Sequence, residues 1–538
     1  AKDARHTIIP NYVTESGFTE DINGRTKVGA PLSASGLFVF DREKDTVMTV
    51  AMEDIPGIRD LPDYVNDYPE LLKKKKQENA ARQVSITGVT WSPKGNYAVV
   101  DIDALDNKDR WLMKLDAVTG KLSLLNRQRD EAWVGGPGIN SGNTGWINEN
   151  LFWFQSEATG YAHIYTVDIT TGKKTALTSG QYEVQQCLLS GNKKYFYITT
   201  NEVHAGEQQL YRLPVTGGRA ERITTMTGAN NVILSPGEKQ AAILYSYSNK
   251  PWELFLQDNK PGAKTEQLTF KAQSDLFKTY AWRDPEMVSI TASDGKQVQA
   301  RLYRPANPHP SKPAVIFVHG AGYLQNAHKW WSSYFREYMF HNLLADNGYY
   351  VLDMDYRASA GYGRDWRTGI YRHMGGKDLT DNIDGAKYLT EKCGVDPKHI
   401  GIYGGSYGGF ITLMALFTSP GTFAAGAALR PVTDWAHYNQ GYTSNILNTP
   451  AEDSIAYRRS SPIYFAEGLQ DHLLICHGVV DVNVHFQDVV RLNQRLIELG
   501  KNNWQVALYP VEDHGFEEPS SWADEYKRIY KLFEEVLK

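Results

Sequence analysis

The chain has 538 residues, 41% of them hydrophobic, and a formal net charge of −5. That length and apolar content suit two domains with cores of their own, and the slight acidity argues against a polycationic nucleic-acid binder. The three cysteines, Cys187, Cys393 and Cys476, are few and odd in number, so no disulfide framework is implied, and no stretch is long and apolar enough to span a membrane.

Residues 1–284 read as short strands, turn signals and aromatics with little helical period. Trp111–Asp116 leads to Thr119-Gly120. His163–Asp168 leads to Thr171-Gly172 and then Leu177-Thr178. Gln209–Leu213 leads to Thr216-Gly217 and Ile223-Thr224, and Glu253–Gln257 to Pro261-Gly262 and Leu268-Thr269. Ser-Pro turns at Ser92-Pro93 and Ser235-Pro236 open two of these units. A period of about 45 residues with about four short strands per unit is the signature of propeller blades; the alternative is a β-sandwich with accidental spacing. The blades are clearest over 85–275, and a partial one ends at Gly36–Phe40. A closed ring of so few blades is small, so N-terminal blades are expected to be uncertain or missing. The chain also begins at Ala1 with no methionine, and the expectation is that upstream sequence is absent. The run Lys73–Lys76 reads as part of a solvated helical insert rather than a nucleic-acid patch.

Residues 285–538 change character. Apolar strands without a polar face alternate with helical patterns: Val315–His319, Tyr349–Asp353, His399–Tyr403, Ala424–Leu429, Leu473–His477 and Gln505–Tyr509, with a helix over about Asp378–Lys392. This predicts a doubly wound, mostly parallel sheet covered on both faces. The third of those strands runs into Gly404-Gly-Ser406-Tyr-Gly408-Gly, and a helix-like stretch follows at once. A strand, Gly-x-Ser-x-Gly and a helix form the nucleophile elbow of an α/β-hydrolase. The partners should follow in the order acid, then histidine. Asp481 falls in the loop after the Leu473 strand and His514 in the loop after the Gln505 strand, where open α/β sheets place their sites. The chemistry needs all three: a serine hydroxyl is a poor nucleophile until an imidazole takes its proton, and the imidazole needs a carboxylate to hold its tautomer. Asp471 and Asp488 rival Asp481, and His477 and His485 flank it, but His477 lies within its strand and His485 opens the next helix, so packing roles fit them better. Cys476 sits in the same strand as an inert core residue.

With these motifs in place, the chain resembles the prolyl oligopeptidase family of serine peptidases, and within it the dipeptidyl peptidase IV branch in its bacterial form. The likeness is loose over the propeller repeats and good over 285–538. The elbow matches the family's Gly-x-Ser-Tyr-Gly-Gly; Asp481–Phe486 matches the branch's Asp-x-Asn-Val-His-Phe; Asp513-His514-Gly515 matches the histidine loop. Arg430-Pro-Val432-Thr-Asp-Trp435-Ala-His-Tyr438 and on to Tyr442 resembles the segment lining a proline pocket. The resemblance implies a slot of Tyr407, Val432, Trp435, Tyr438, Tyr442 and Val484, with Asn483 holding the preceding carbonyl. A pyrrolidine ring is compact, apolar and lacks an N–H, so an aromatic slot selects it by shape and burial; the plainer fate of such aromatics is core. Two departures stand out. Where the family carries a tyrosine whose hydroxyl donates to the oxyanion, this chain has His319, so beside the Tyr407 N–H the second donor is open between His319, a backbone N–H of that loop and Tyr323. The branch's Glu-Glu pair for a substrate ammonium is also missing, since the first such pair is Glu517-Glu518.

The expected fold is thus a β-propeller over 1–284, followed by an α/β-hydrolase catalytic domain over 285–538. The expected activity is a serine peptidase cleaving short peptides after proline or alanine and releasing N-terminal dipeptides through an acyl-enzyme on Ser406. An acylaminoacyl peptidase, an endo-oligopeptidase, an esterase or a non-catalytic binding protein on the same scaffold stay open. No cofactor and no metal are expected. The expected partners are short peptides and a second copy of the chain, without nucleic acid. Because bacterial relatives are often exported, the expected location is periplasmic or secreted, with the cytoplasm left open.

Overall fold

The computed structural model describes residues 5–139 and 142–538. It divides into two compact units, one built on Pro31–Lys278 with Gly361–Asp365, the other on Thr279–Ala360 and Trp366–Lys538 together with residues 5–30.

The first unit is a succession of antiparallel sheets. Four have four strands each: Val84–Trp91 to Leu122–Arg129, Gly145–Trp146 to Lys174–Ala176, Val184–Leu189 to Glu221–Arg222, and Ala229–Leu234 to Glu266–Gln267. The partial repeat at Phe38–Asp41 pairs only with Thr46–Thr49. The repeated residues do the same work in the last three of these four-stranded sheets. Leu177, Ile223 and Leu268 donate their N–H to Ile164, Leu210 and Leu254, each at 2.8 Å. The threonine that follows returns the bond, its Oγ1 accepting from the same residue: Ile164 to Thr178 at 3.0 Å, Leu210 to Thr224 at 2.8 Å and Leu254 to Thr269 at 2.8 Å. The Leu/Ile-Thr pair thus pins the short outer strand of these three sheets.

Successive sheets pack face to face, as blades do. Val99 and Leu112 of the first meet Trp146, Phe152 and Phe154 of the second. Trp153 and Ile164 of the second meet Phe196 and Ile198 of the third, with Trp153 edge-on to Phe196 at 5.3 Å. The lysine run lies in the helix Pro69–Glu78, which buries no residue, as a solvated insert should.

The second unit holds one eight-stranded sheet: β1 Glu286–Thr291, β2 Gln297–Tyr303, β3 Ala314–Val318, β4 Tyr350–Asp355, β5 Ile400–Gly405, β6 Ala425–Leu429, β7 His472–Gly478 and β8 Trp504–Tyr509. The spatial order is β1-β2-β4-β3-β5-β6-β7-β8. The β2 strand is antiparallel to both neighbours, and every other pair is parallel. Every residue of β3 and β6 is buried, which explains their unbroken apolar sequence. Helices α1 Phe335–Asp346, α2 Lys377–Cys393, α3 Tyr407–Thr418, α4 Gln487–Glu498 and α5 Pro519–Leu537 connect and cover the sheet. Among the described residues, no helix is long and apolar enough to cross a membrane.

The N-terminal segment departs from the domain boundary expected from sequence. Residues 5–30 belong with the second unit rather than with the first, and several of their polar groups find partners there. Val28 donates its N–H to the Tyr438 carbonyl at 2.8 Å, Gly29 to Gln440 Oε1 at 2.7 Å, and Lys27 Nζ to Gln487 Oε1 at 2.8 Å.

Candidate active site

The elbow is sterically forced. Ser406 has φ 59° and ψ −113° between β5 and α3, a strained backbone for a residue with a Cβ. Its neighbours must be glycine: a Cβ on Gly404 would lie 2.2 Å from the Val318 carbonyl oxygen, and one on Gly408 2.0 Å from the same atom. The Ser406 N–H is fixed to the Leu429 carbonyl at 2.8 Å. The turn therefore lifts the hydroxyl to the C-terminal edge of the sheet.

Asp481 follows β7 and is fully buried. Its Oδ1 accepts the N–H groups of Asn483 and Val484, both at 2.8 Å, and its Oδ2 accepts from His514 Nδ1 at 2.8 Å. Burial alone would raise this carboxyl's pKa, but the hydrogen bond and charge of His514, the charge of His477 and the backbone donors outweigh it, so it lies below the ordinary carboxylate range. Asp513 ties the two loops together, its Oδ1 accepting from Val482 N–H at 2.8 Å and from His514 N–H at 2.6 Å. The rivals are engaged elsewhere: Asp471 accepts from Gly421 N–H at 2.9 Å and Asp488 from Thr433 N–H at 3.0 Å. His477 is buried with Nε2 on the Val484 carbonyl at 2.9 Å, its pKa pushed down by burial to about 4. Glu517 and Glu518 donate their N–H groups to the Glu512 carboxylate, at 2.7 and 3.2 Å.

Ser406 and His514 line one cavity of about 450 Å³, together with Tyr407, Val432, Trp435, Tyr438, Tyr442 and Asn483. Trp435 lies 5.5 Å from Tyr438 and 5.8 Å from Tyr442, and those two tyrosines meet at a right angle, 5.7 Å apart. The phenols are held from behind: Tyr407 donates to Asp378 at 2.5 Å, Tyr438 to Asn483 Oδ1 at 2.8 Å and Tyr442 to the Ala321 carbonyl at 3.1 Å. Burial pushes the pKa of Asp378 up to about 6. Because the Asn483 oxygen is engaged by Tyr438, its amide N–H₂ is left as the donating side. Val484 does not line the cavity; it is buried, and its backbone braces Asp481 and His477.

The His319 side chain does not fit the donor role expected of it. It is fully buried and does not line the cavity. Its Nε2 pairs with Ser359 Oγ at 2.9 Å, its Nδ1 faces the Gly320 carbonyl at 3.0 Å, and its ring stacks on Tyr356 at 4.5 Å. Gly320, Ala321 and Tyr323 of the following loop do line the cavity, as do Tyr334 and Arg430. The sequence carried no signal for Tyr334 as a cavity residue. Nor did it signal Arg25, which reaches the site from the N-terminal segment. Arg25 donates to the Asn483 carbonyl and lies over the Tyr438 ring, 4.5 Å from its centre. Burial lowers its pKa, and its Nη1 is buried without a hydrogen-bond partner.

Residues 335–538 match the prolyl oligopeptidase family, and residues 72–252 match the dipeptidyl peptidase IV N-terminal region. A Coccidioides posadasii protein named "Probable dipeptidyl-aminopeptidase B" is 28% identical over 516 residues, 91% of this chain and 52% of that protein. A Trichophyton equinum protein named "Dipeptidyl peptidase 4" is 26% identical over 460 residues, 82% of this chain and 59% of that protein. The chain thus spans little more than half the length of these relatives. The crystal structure of Porphyromonas gingivalis dipeptidyl peptidase 4 shares the fold, with TM-score 0.78 over 99% of this chain and 71% of that one, at 23% identity. The chain belongs to the prolyl oligopeptidase family of serine-type hydrolases.

Proposed function

We propose that the chain is a serine peptidase that cleaves short peptides on the carboxyl side of proline or alanine and releases N-terminal dipeptides. The observation that carries this reading is the single cavity in which Ser406 and His514 stand beside the slot of Tyr407, Val432, Trp435, Tyr438 and Tyr442. His514, held by Asp481 through Nδ1, presents Nε2 as the base. Ser406 Oγ attacks the carbonyl carbon of the residue in the slot and passes its proton to Nε2. The Tyr407 N–H, at the start of α3, donates to the oxyanion. His514 then protonates the leaving amine, and a water activated by the same imidazole releases the acyl group. The Asn483 amide holds the carbonyl before the slot residue, and Arg25 fixes Asn483 and Tyr438 in place. The names of the relatives agree with this reading, and an exported location and a homodimer belong to it.

A second reading, an acylaminoacyl peptidase, endo-oligopeptidase or esterase, is favoured by one specific observation: no Glu-Glu pair precedes Glu517-Glu518 to hold a substrate ammonium. A panel of Gly-Pro, Ala-Pro, acetyl-Ala and free aminoacyl chromogenic substrates separates the two. The exopeptidase reading expects fastest release from Gly-Pro or Ala-Pro; equal or faster turnover of the N-blocked substrates would replace it with the second.

A further inference from the structure

We propose that the Tyr334 hydroxyl is the second donor to the oxyanion at Ser406. The inference rests on the hydrolase reading of that site and adds a residue to it.

Tyr334 ends the loop that follows β3 and caps the N-terminus of α1. Its Oη accepts the N–H of Gly320 at 2.7 Å. A phenol oxygen carries one proton, and with the oxygen accepting from Gly320 that proton points away from the loop. No acceptor among the described residues takes it. What lies around the hydroxyl is the cavity: Tyr334, Gly320, Ala321, Ser406, Tyr407 and His514 all border it. The absence of a side chain at Gly320 is what makes room. A Cβ built there would stand 2.8 Å from Tyr334 Oη, 3.1 Å from the Gly405 carbonyl oxygen and 3.6 Å from Ser406 Cβ. The hydroxyl and the nucleophilic side chain therefore border the same small gap, into which the carbonyl oxygen of an attacked substrate would swing.

The phenol is also preorganised, as an oxyanion donor must be. Its ring meets Phe317 edge-on at 5.4 Å. Its backbone N–H is held by Ser332 Oγ at 2.9 Å, and its carbonyl starts α1 by accepting from Tyr338 N–H at 2.9 Å. Burial keeps the hydroxyl protonated, and Glu337 adds to this, while the Gly320 N–H and Arg430 oppose it and Asp353 contributes in the direction of Glu337. The alternatives in the loop are weaker. His319 is buried with both nitrogens occupied, and Tyr323 is 55% exposed, so its hydroxyl is far less desolvated.

The step balances without proton loss from Tyr334. The Ser406 Oγ–carbon bond forms, the carbonyl π pair moves to oxygen, and the serine proton passes to His514. The oxyanion accepts from Tyr407 N–H and Tyr334 O–H. On collapse the pair returns, the carbon–nitrogen bond breaks and His514 gives its proton to the amine.

The test is Tyr334→Phe in the full chain. The expected result is a fall in kcat of about 10² to 10³ with KM within about threefold of wild type. Affinity for a peptide boronate, which forms a tetrahedral adduct on serine, should fall by a similar factor, and inhibition by a product dipeptide should not change. A kcat within about threefold of wild type would overturn the assignment of Tyr334 while leaving the hydrolase reading intact. A loss of kcat with unchanged boronate affinity would overturn it too, because the phenol would then serve only to hold Gly320. Failure of the wild type itself to turn over substrate or to react with a fluorophosphonate would remove the underlying reading instead. If the phenylalanine variant does not fold, 2,3-difluorotyrosine at position 334 keeps the hydroxyl and its bond to Gly320 but acidifies it. The modified enzyme should lose kcat on the alkaline side at lower pH than wild type, and superimposable profiles would overturn the proposal.

Discussion

Replacing Asp481 by asparagine isolates the electronic role of the carboxylate from its structural one. Asp481 Oδ1 accepts two backbone N–H groups at 2.8 Å, and Oδ2 accepts from His514 Nδ1 at 2.8 Å. An asparagine oxygen can keep both backbone bonds, which turns the amide N–H₂ towards His514. Donor then faces donor, and the imidazole must shift its proton to Nε2, the nitrogen that has to accept from Ser406. The expected loss in kcat is on the order of 10⁴, or about 5.5 kcal/mol, with a melting temperature close to wild type. Asp481→Ala should lose the activity and also the loop, because each buried N–H left without an acceptor costs about 1–3 kcal/mol. The assay is kcat/KM on a Gly-Pro chromogenic substrate beside thermal unfolding of both variants. An asparagine variant within about tenfold of wild type, which is about 1.4 kcal/mol, would refute the claim that Asp481 sets the tautomer of His514.

Three further outcomes are expected. Gly408→Ala should not yield folded enzyme, since the new Cβ would sit 2.0 Å from the Val318 carbonyl oxygen, whereas Gly237→Ala, with nothing within 4 Å of its Cβ position, should express and melt as wild type; normal folding of the first would contradict the packing of the elbow. Tyr438→Ala should cut turnover of proline substrates by roughly 10- to 200-fold and spare a small activated ester, and equal losses on both would remove the slot assignment. Asp488 is buried, and burial pushes its pKa up to about 7. Its folded-state pKa therefore lies above the unfolded value, so its contribution to stability is full below about pH 4 and is lost by about 1.4 kcal/mol per pH unit as pH rises towards 7. Asp488→Asn should abolish that slope, and parallel pH–stability curves for the two proteins would contradict it.

The C-terminal sheet was readable because its chemistry is local. Buried parallel strands such as β3 and β6 are apolar throughout, and the residues of the Ser406, Asp481 and His514 loops follow directly on strand ends whose positions the pattern marks. The repeats were readable for a similar reason, as the Leu/Ile-Thr pair makes the same two hydrogen bonds in three of the four-stranded sheets. What sequence could not supply was contact between distant segments. Arg25 reaches Asn483 across most of the chain, and nothing about an arginine in a polar N-terminal stretch announces that. The same holds for residues 5–30, whose partners Tyr438, Gln440 and Gln487 lie in a loop and at the starts of two helices rather than in a strand ladder. The place of His319 at a strand end points to the cavity, while Ser359 and Tyr356 hold its ring in the interior. Val484 was carried into the slot by its neighbourhood in the motif, yet it is the backbone of that residue that matters.

In the proposed mechanism Ser406 is the group that becomes acylated. Brief exposure to a fluorophosphonate, followed by proteolysis and peptide mass analysis, tests it directly. The predicted result is one adduct per chain, on the peptide containing Ser406, and no adduct in Ser406→Ala. Stoichiometric labelling of a different residue, or peptide hydrolysis that survives in Ser406→Ala, would contradict it.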